Sequence, residues 1–352
     1  MNRREFSVGA LAASLTLGAV RSSSVAAQQG GSPPDANPDR FALVDPELLP
    51  SVKGTPPLAA MTDAILAASR KEMGRNVLPA PAPQPVERNI PGLAGQPSVR
   101  VLIVDPDPAK KAKPALLHTH GGGYILGSAD FFAFVAQGYA QRCGCVVVSV
   151  DYRLAPETRF PGSLDDNYAA LLWLYQHADE LGVDPKRIAV GGESAGGGHA
   201  AALAIRARDR KEVPVVFQLL IYPMLDDRTG STRPVSPNVG QIAWGAEGNR
   251  FGWTALLGVP AGSALVPSGS VPSRLERLDG LAPAFIGVGS IDLFVDEDVE
   301  YARRLINAGV STELHVAPGA YHAFDLTVPQ AKVSQRFRSS IDTALRRAFG
   351  TA

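Results

Sequence analysis

Cysteine is almost absent from this chain. Its 352 residues contain two, Cys143 and Cys145, spaced C-x-C. A bridge across so short a span is strained, so a disulfide framework is excluded and free, buried thiols are expected. Charge of either sign is not in excess: 34 basic residues balance 34 acidic ones. That removes any global electrostatic reason to expect nucleic acid or an anionic membrane as partner. There is no H-E-x-x-H, no paired C-x-x-C, no EF-hand loop, no G-x-G-x-x-G and no P-loop lysine, so no metal and no nucleotide cofactor is expected. No apolar run is long enough for a membrane-spanning helix.

What is present is globular material. Hydrophobic residues make up 45% and charged residues 19%, enough for a large core in one α/β domain. The start reads differently. Arg3-Arg4-Glu5-Phe6 precedes an apolar stretch over 8–20, and small residues end at Val25-Ala26-Ala27. Residues 1–27 therefore read as a cleavable export signal. The paired arginines resemble the twin-arginine type, an ordinary secretory signal being the alternative. Either places the protein in the periplasm or outside the cell. Residues 28–40, rich in Gly, Pro, Gln and Asp, read as a flexible linker.

Residues 56–73 carry Leu58, Met61, Ile65 and Leu66 at helical spacing. That predicts a helix ahead of the first strand, within an N-terminal segment 41–85 placed to cover a site. From 86 to the end, eight strand-like runs follow: 86–90, 99–104, 115–119, 145–150, 187–190, 215–221, 284–288 and 313–316. The first two partly alternate and suit an antiparallel edge. The rest are continuous apolar runs separated by helices, which predicts a mostly parallel eight-stranded sheet buried on both faces. Ser163 is the expected N-cap of a helix running to about His177, and Asp296 of one running to Asn307 that Gly309 closes. Glu297 and Asp298 read as first-turn charges of that second helix, and Asp226-Asp227 as a solvated loop. Between 221 and 284 lies a stretch too long for one crossover, which predicts a cap insertion over about 224–265. Its Trp244, Phe251 and Trp253, with Tyr124, either line a pocket or form the cap's own small core.

Two short segments carry chemistry. Gly192-Glu193-Ser194-Ala195-Gly196 follows an apolar strand and opens a helix, the context a nucleophile elbow requires. Small residues flank Ser194 because strand and helix must pass closely. His120-Gly121-Gly122-Gly123-Tyr124 also follows a strand. Its N–H groups suit an oxyanion produced by attack of Ser194 on a carbonyl. Gly122, Gly123 and Ala195 are the expected donors, with Gly121 still possible, and His120 braces the loop. The base should come late, since this arrangement runs serine, acid, histidine. Of six histidines only His322 follows the last strand, in a loop at the end where ligands bind open α/β sheets. Asp292, first acid after the 284–288 strand, is the expected partner of His322.

His120-Gly-Gly-Gly-Tyr124, Asp151-Tyr152-Arg153-Leu154-Ala155-Pro156-Glu157, Gly192-x-Ser-Ala-Gly196, Asp292-Leu293-x-x-Asp296-Glu297 and Tyr321-His322-Ala323-Phe324 together resemble the bacterial hormone-sensitive-lipase-like carboxylesterases. The resemblance runs from about Pro56 to the C-terminus. It implies an α/β-hydrolase fold with a helical cap, hydrolysis of short- to medium-chain esters, a small-molecule ester as partner, and no cofactor. Pairing of two copies through edge strands is open. Glu193 departs from the aspartate of many relatives. An amidase or acyltransferase on the same triad is the neighbouring reading. A non-catalytic binder is the distant one, against which His322 counts.

Overall fold

The computed structural model describes residues 39–75 and 83–351. The export signal and all but the end of the linker lie outside those residues. Eight strands form one sheet: β1 (Val86–Ile90), β2 (Val99–Val104), β3 (Lys113–Thr119), β4 (Val146–Asp151), β5 (Val183–Glu193), β6 (Val215–Ile221), β7 (Ala284–Gly289) and β8 (Thr312–Ala317). Their spatial order is β1-β2-β4-β3-β5-β6-β7-β8. β1, β2 and β4 pair antiparallel and all later pairs are parallel.

The central strands are buried along their length because both faces are covered. Alternate residues of one strand feed opposite cores. Leu116 of β3 joins one with Val147, Leu219 and Phe285, while Ala115 and Leu117 join the other with Val148, Val190 and Ile286. Helix α1 (Leu49–Val52) and helix α2 (Asp63–Arg75) precede the sheet. The first core is closed by α3 (Ala133–Cys143) and by a C-terminal helix, Lys332–Ala348. The second is closed by α4 (Gly162–Gln176), α5 (Ala195–Arg210) and Val295–Asn307. In chain order the remaining helices are α6 (Ala246–Leu257), α7 (Val295–Asn307), α8 (Phe324–Thr327) and α9 (Lys332–Ala348). Among the described residues no helix is long and apolar enough to cross a membrane. Both cysteines are free and buried, and burial pushes the Cys143 thiol up to about 12.

Several local expectations need correction. The first long helix begins at Asp63, so Leu58 and Met61 precede it. Pro57 holds Pro56 extended, and the Thr62 hydroxyl accepts the Ile65 N–H at 3.3 Å to start the turn. Ser163 does not cap α4. The helix starts one residue earlier, Asp165 N–H bonds the Pro161 carbonyl, and the Ser163 hydroxyl is buried with no partner among the described residues. Nor does Asp296 cap α7, which starts at Val295 behind Phe294. Gly309 does follow α7 in the left-handed conformation, with φ of 78°.

The larger correction concerns the Asp226-Asp227 loop read as solvated, while Glu297 and Asp298 do lie in the first turn of α7. Asp226, Asp227, Glu297 and Asp298 are all buried. Glu297 accepts the N–H groups of Leu225 (2.7 Å) and Asp226 (3.1 Å) and the Thr229 hydroxyl. Asp226 pairs with Arg228 at 2.8 Å and with Arg233 at 3.4 Å. Asp227 holds Arg274 through two bonds of 2.7 Å and accepts Gly262 N–H at 2.9 Å. Glu297 of α7 thereby fastens the stretch after β6 to the body, and the ion pairs brace that stretch internally. Removing one partner of a buried pair strands the other charge, so Arg274→Ala is expected to cost roughly 3–5 kcal/mol of stability. Urea denaturation tests this, and a loss below about 1 kcal/mol would put the pair in the class of surface ion pairs.

Candidate active site

Ser194 sits between the end of β5 and the start of α5 with φ 57° and ψ −122°. A side-chain-bearing residue holds that conformation only under constraint. The constraints are on both its backbone groups. Its N–H bonds the Ile221 carbonyl at 2.9 Å, and its carbonyl accepts Gly198 and Met224 N–H groups at 3.0 Å each. Gly192 and Gly196 are required by close approach. A Cβ at either would lie 2.1 Å or 1.9 Å from the Thr119 carbonyl oxygen of β3. The Thr119 hydroxyl then donates to the Gly196 carbonyl at 2.6 Å.

The expected base and acid meet Ser194. His322 Nε2 lies 2.9 Å from Ser194 Oγ, and His322 Nδ1 lies 2.8 Å from Asp292 Oδ2. Asp292 Oδ1 accepts the Phe294 N–H at 3.0 Å, so both carboxylate oxygens are engaged. Ser194 and His322 are each 7% exposed and Asp292 is fully buried. The three residues leave the carboxyl ends of the parallel strands β5, β7 and β8, which is why residues far apart in sequence meet here. The imidazole is held edge-to-face by Tyr222 at 4.8 Å and by Phe294 at 5.3 Å between ring centres.

The glycine loop leaves β3, which pairs with β5 up to Thr119 opposite Gly192. Gly121, Gly122 and Gly123 all border the cavity in front of Ser194. Gly122 and Gly123 have φ of 127° and 60°. The N–H groups of Gly122, Gly123 and Ala195 donate to no backbone carbonyl among the described residues. His120 stacks between Tyr152 (4.2 Å) and Phe132 (5.7 Å) and its Nδ1–H donates to the Gly121 carbonyl at 2.8 Å. Burial pushes His120 down to about 4, so it braces the loop as a neutral ring. His199, also buried, is pushed down to about 3 and packs between Tyr124 and Tyr152.

The open question about the aromatics divides residue by residue. Trp244 borders the cavity, its indole lying against Gly123. Tyr124 donates its hydroxyl to the Met224 carbonyl at 2.8 Å, and the fully buried Trp253 packs on it at 4.9 Å. Phe251 borders a separate surface groove. The cavity, about 80 Å3, is walled by Leu126, Phe132 and Leu326 from the body, and by Ser69 and Met73 of α2. Arg70 of the same helix pairs with Glu157 at 2.7 Å and donates to the Ile125 carbonyl at 2.8 Å. No group of His, Cys, Asp or Glu among the described residues could hold a metal ion.

Sequence reasoning missed a buried polar layer beneath the elbow. Glu193 Oε1 accepts the Tyr139 hydroxyl at 2.8 Å, and Glu193 Oε2 lies 2.9 Å from His118 Nε2. His118 Nδ1 in turn lies 2.9 Å from Ser149 Oγ. The only sequence signal was a charged residue beside the nucleophile and a histidine in an apolar strand.

Known proteins align with this description. The family described as alpha/beta hydrolase fold matches residues 116–326. Esterase LipI of Mycobacterium tuberculosis is 34% identical over 295 residues, spanning 82% of this chain and 90% of that protein. Carboxylesterase NlhH of the same species is 38% identical over 255 residues, spanning 70% and 78%. The solved structure of a bacterial heroin esterase superposes with a TM-score of 0.80 at 39% identity, covering 88% of this chain and 99% of that one. With its sheet order, elbow and glycine loop now described, the chain belongs to the hormone-sensitive-lipase-like carboxylesterases of the α/β-hydrolase superfamily.

Proposed function

We propose that the protein is a serine carboxylesterase that hydrolyses short- to medium-chain carboxylic esters through an acyl-enzyme on Ser194. The observation that carries this reading is the unbroken chain Ser194 Oγ, His322, Asp292, with bonds of 2.9 and 2.8 Å between buried side chains. His322 Nε2 takes the serine proton as Oγ attacks the ester carbonyl. Asp292 keeps Nδ1 protonated and stabilises the imidazolium. The oxyanion falls to the N–H groups of Gly122, Gly123 and Ala195. The C–O bond then breaks and His322 returns the proton to the departing alcohol. Water repeats the sequence and releases the acid. The small cavity and its Trp244 wall favour short acyl groups.

Residues 41–85 and about 224–265 act as the cap in this reading. The leader of residues 1–27 directs export to the periplasm or beyond. Fractionation of cells expressing the Arg3→Lys, Arg4→Lys double variant tests the twin-arginine route. Retention of unprocessed protein in the cytoplasm is expected, and unaltered export would assign an ordinary secretory signal.

Ser194→Ala is expected to lower kcat on p-nitrophenyl butyrate by roughly 10⁶-fold while the circular dichroism spectrum stays unchanged. Substantial turnover in that variant would remove the nucleophile assignment. Asp292→Asn is expected to lower kcat by about 10⁴-fold, because the imidazole loses its tautomer control. Asp296→Asn should change kcat less than about threefold, since its carboxylate makes no cap. Comparable losses in the two variants would reassign the acid.

A further inference from the structure

A second cavity of about 250 Å3 lies behind the nucleophile, and the mechanism above does not use it. Phe134 and Val135 of α3, Leu326 of α8, Pro329 and Ile341 of α9 form most of its wall. It shares two residues with the smaller catalytic cavity, Glu193 and Leu326. Glu193 directly precedes Ser194, and Leu326 lies in the short helix after His322. Leu326 thus borders both spaces, and it is only partly buried.

The charged groups at the border of this cavity are already engaged. Glu193 is bonded to Tyr139 and His118. Asp325 Oδ1 accepts the Tyr222 hydroxyl at 3.1 Å. Arg142 pairs with Asp342 at 2.7 Å, and Arg338 donates to the Asp325 backbone carbonyl at 3.1 Å. An ionic ligand would have to displace one of these bonds. An aliphatic chain would not, and it would gain from the carbon surface that remains. Burial also pushes the Asp325 carboxyl up to about 6, in keeping with poorly hydrated surroundings.

The position selects which part of an ester would enter. Of these two cavities, Ser69, Met73, Ala243 and Trp244 border the catalytic one and not the second. The second cavity lies on the body side of Ser194, beside Glu193. The acyl carbon becomes bonded to Ser194 Oγ in the first half-reaction and is held there until water breaks that bond in the second, whereas the alcohol leaves at the end of the first. We propose that the second cavity is a distal subsite for the aliphatic acyl chain of longer esters, entered past Leu326. This rests on the esterase reading above and names a substrate range beyond the short chains that the catalytic cavity alone admits.

The test compares kcat/KM for p-nitrophenyl decanoate and p-nitrophenyl butyrate in three proteins. Leu326→Ala trims the shared border and is expected to raise the decanoate-to-butyrate ratio by roughly tenfold. Val135→Phe fills the cavity and is expected to lower that ratio by roughly tenfold. If Val135→Phe fails to fold by thermal melt, Leu326→Ala decides alone. Ratios within about twofold of wild type, with wild-type turnover present, would overturn the subsite and leave the esterase reading intact. A Leu326→Ala shift on decyl acetate but not on p-nitrophenyl decanoate would assign the cavity to the alcohol and overturn the proposal. No wild-type turnover on either nitrophenyl ester would overturn the esterase reading, and the subsite with it.

Discussion

Ser194 is held in a backbone conformation that a residue with a side chain does not choose, and the rest of the site follows from that. Strain of this kind costs on the order of 1–3 kcal/mol and persists only where surrounding bonds over-determine it. Here they do, through Ile221 on one side of the residue and Gly198 and Met224 on the other. The turn is tight because three backbones converge on Thr119. Its carbonyl occupies the space that a Cβ on Gly192 or Gly196 would need, and its hydroxyl ties β3 to the first turn of α5. The glycine loop leaves β3 directly after Thr119. The same contact that forces the elbow thus places Gly121, Gly122 and Gly123 beside the serine.

Around this point the fold converts sheet order into a reaction geometry. β5, β7 and β8 end on one edge, and their exit loops bring Ser194, Asp292 and His322 together. Both oxygens of Asp292 are bonded, one to the imidazole and one to Phe294 N–H, so the carboxylate cannot turn away without losing a bond. Tyr222 and Phe294 hold the ring from two sides. Beneath, Glu193 is tied to Tyr139 and His118, a longer carboxylate fitted into a closed hydrogen-bonded layer. Arg70 ties α2 to the Ile125 carbonyl, and the buried pair of Asp227 with Arg274 braces the stretch between β6 and β7.

Much of this was legible in the residues. The inner parallel strands declared themselves as apolar runs, because burial on both faces leaves little polar alternation, whereas the edge strand β8 keeps Glu313 and His315 and is largely unburied. That Ser194, His322 and Asp292 would meet was legible because strand, turn and helix context restricts which residues leave the carboxyl ends of the strands. What escaped was pairing at a distance. Asp226 and Asp227 read as solvated because a sequence shows a charge without its partner, and Arg274 lies far along the chain from Asp227. Ser163 and Asp296 have capping side chains, yet each helix begins one residue before them. Trp244 and Trp253 are the same residue type in the same insertion. Only three-dimensional packing sends one to the cavity and the other into the core on Tyr124.

The central claim is covalent chemistry at Ser194. Rapid-quench single-turnover reaction of the mature protein with a p-nitrophenyl ester, followed by mass spectrometry of the quenched protein, addresses it most directly. The account predicts a burst of nitrophenol matched by an acyl group on the peptide containing Ser194. Nitrophenol release with no adduct on that peptide at any quench time, or an adduct on another residue, would contradict it.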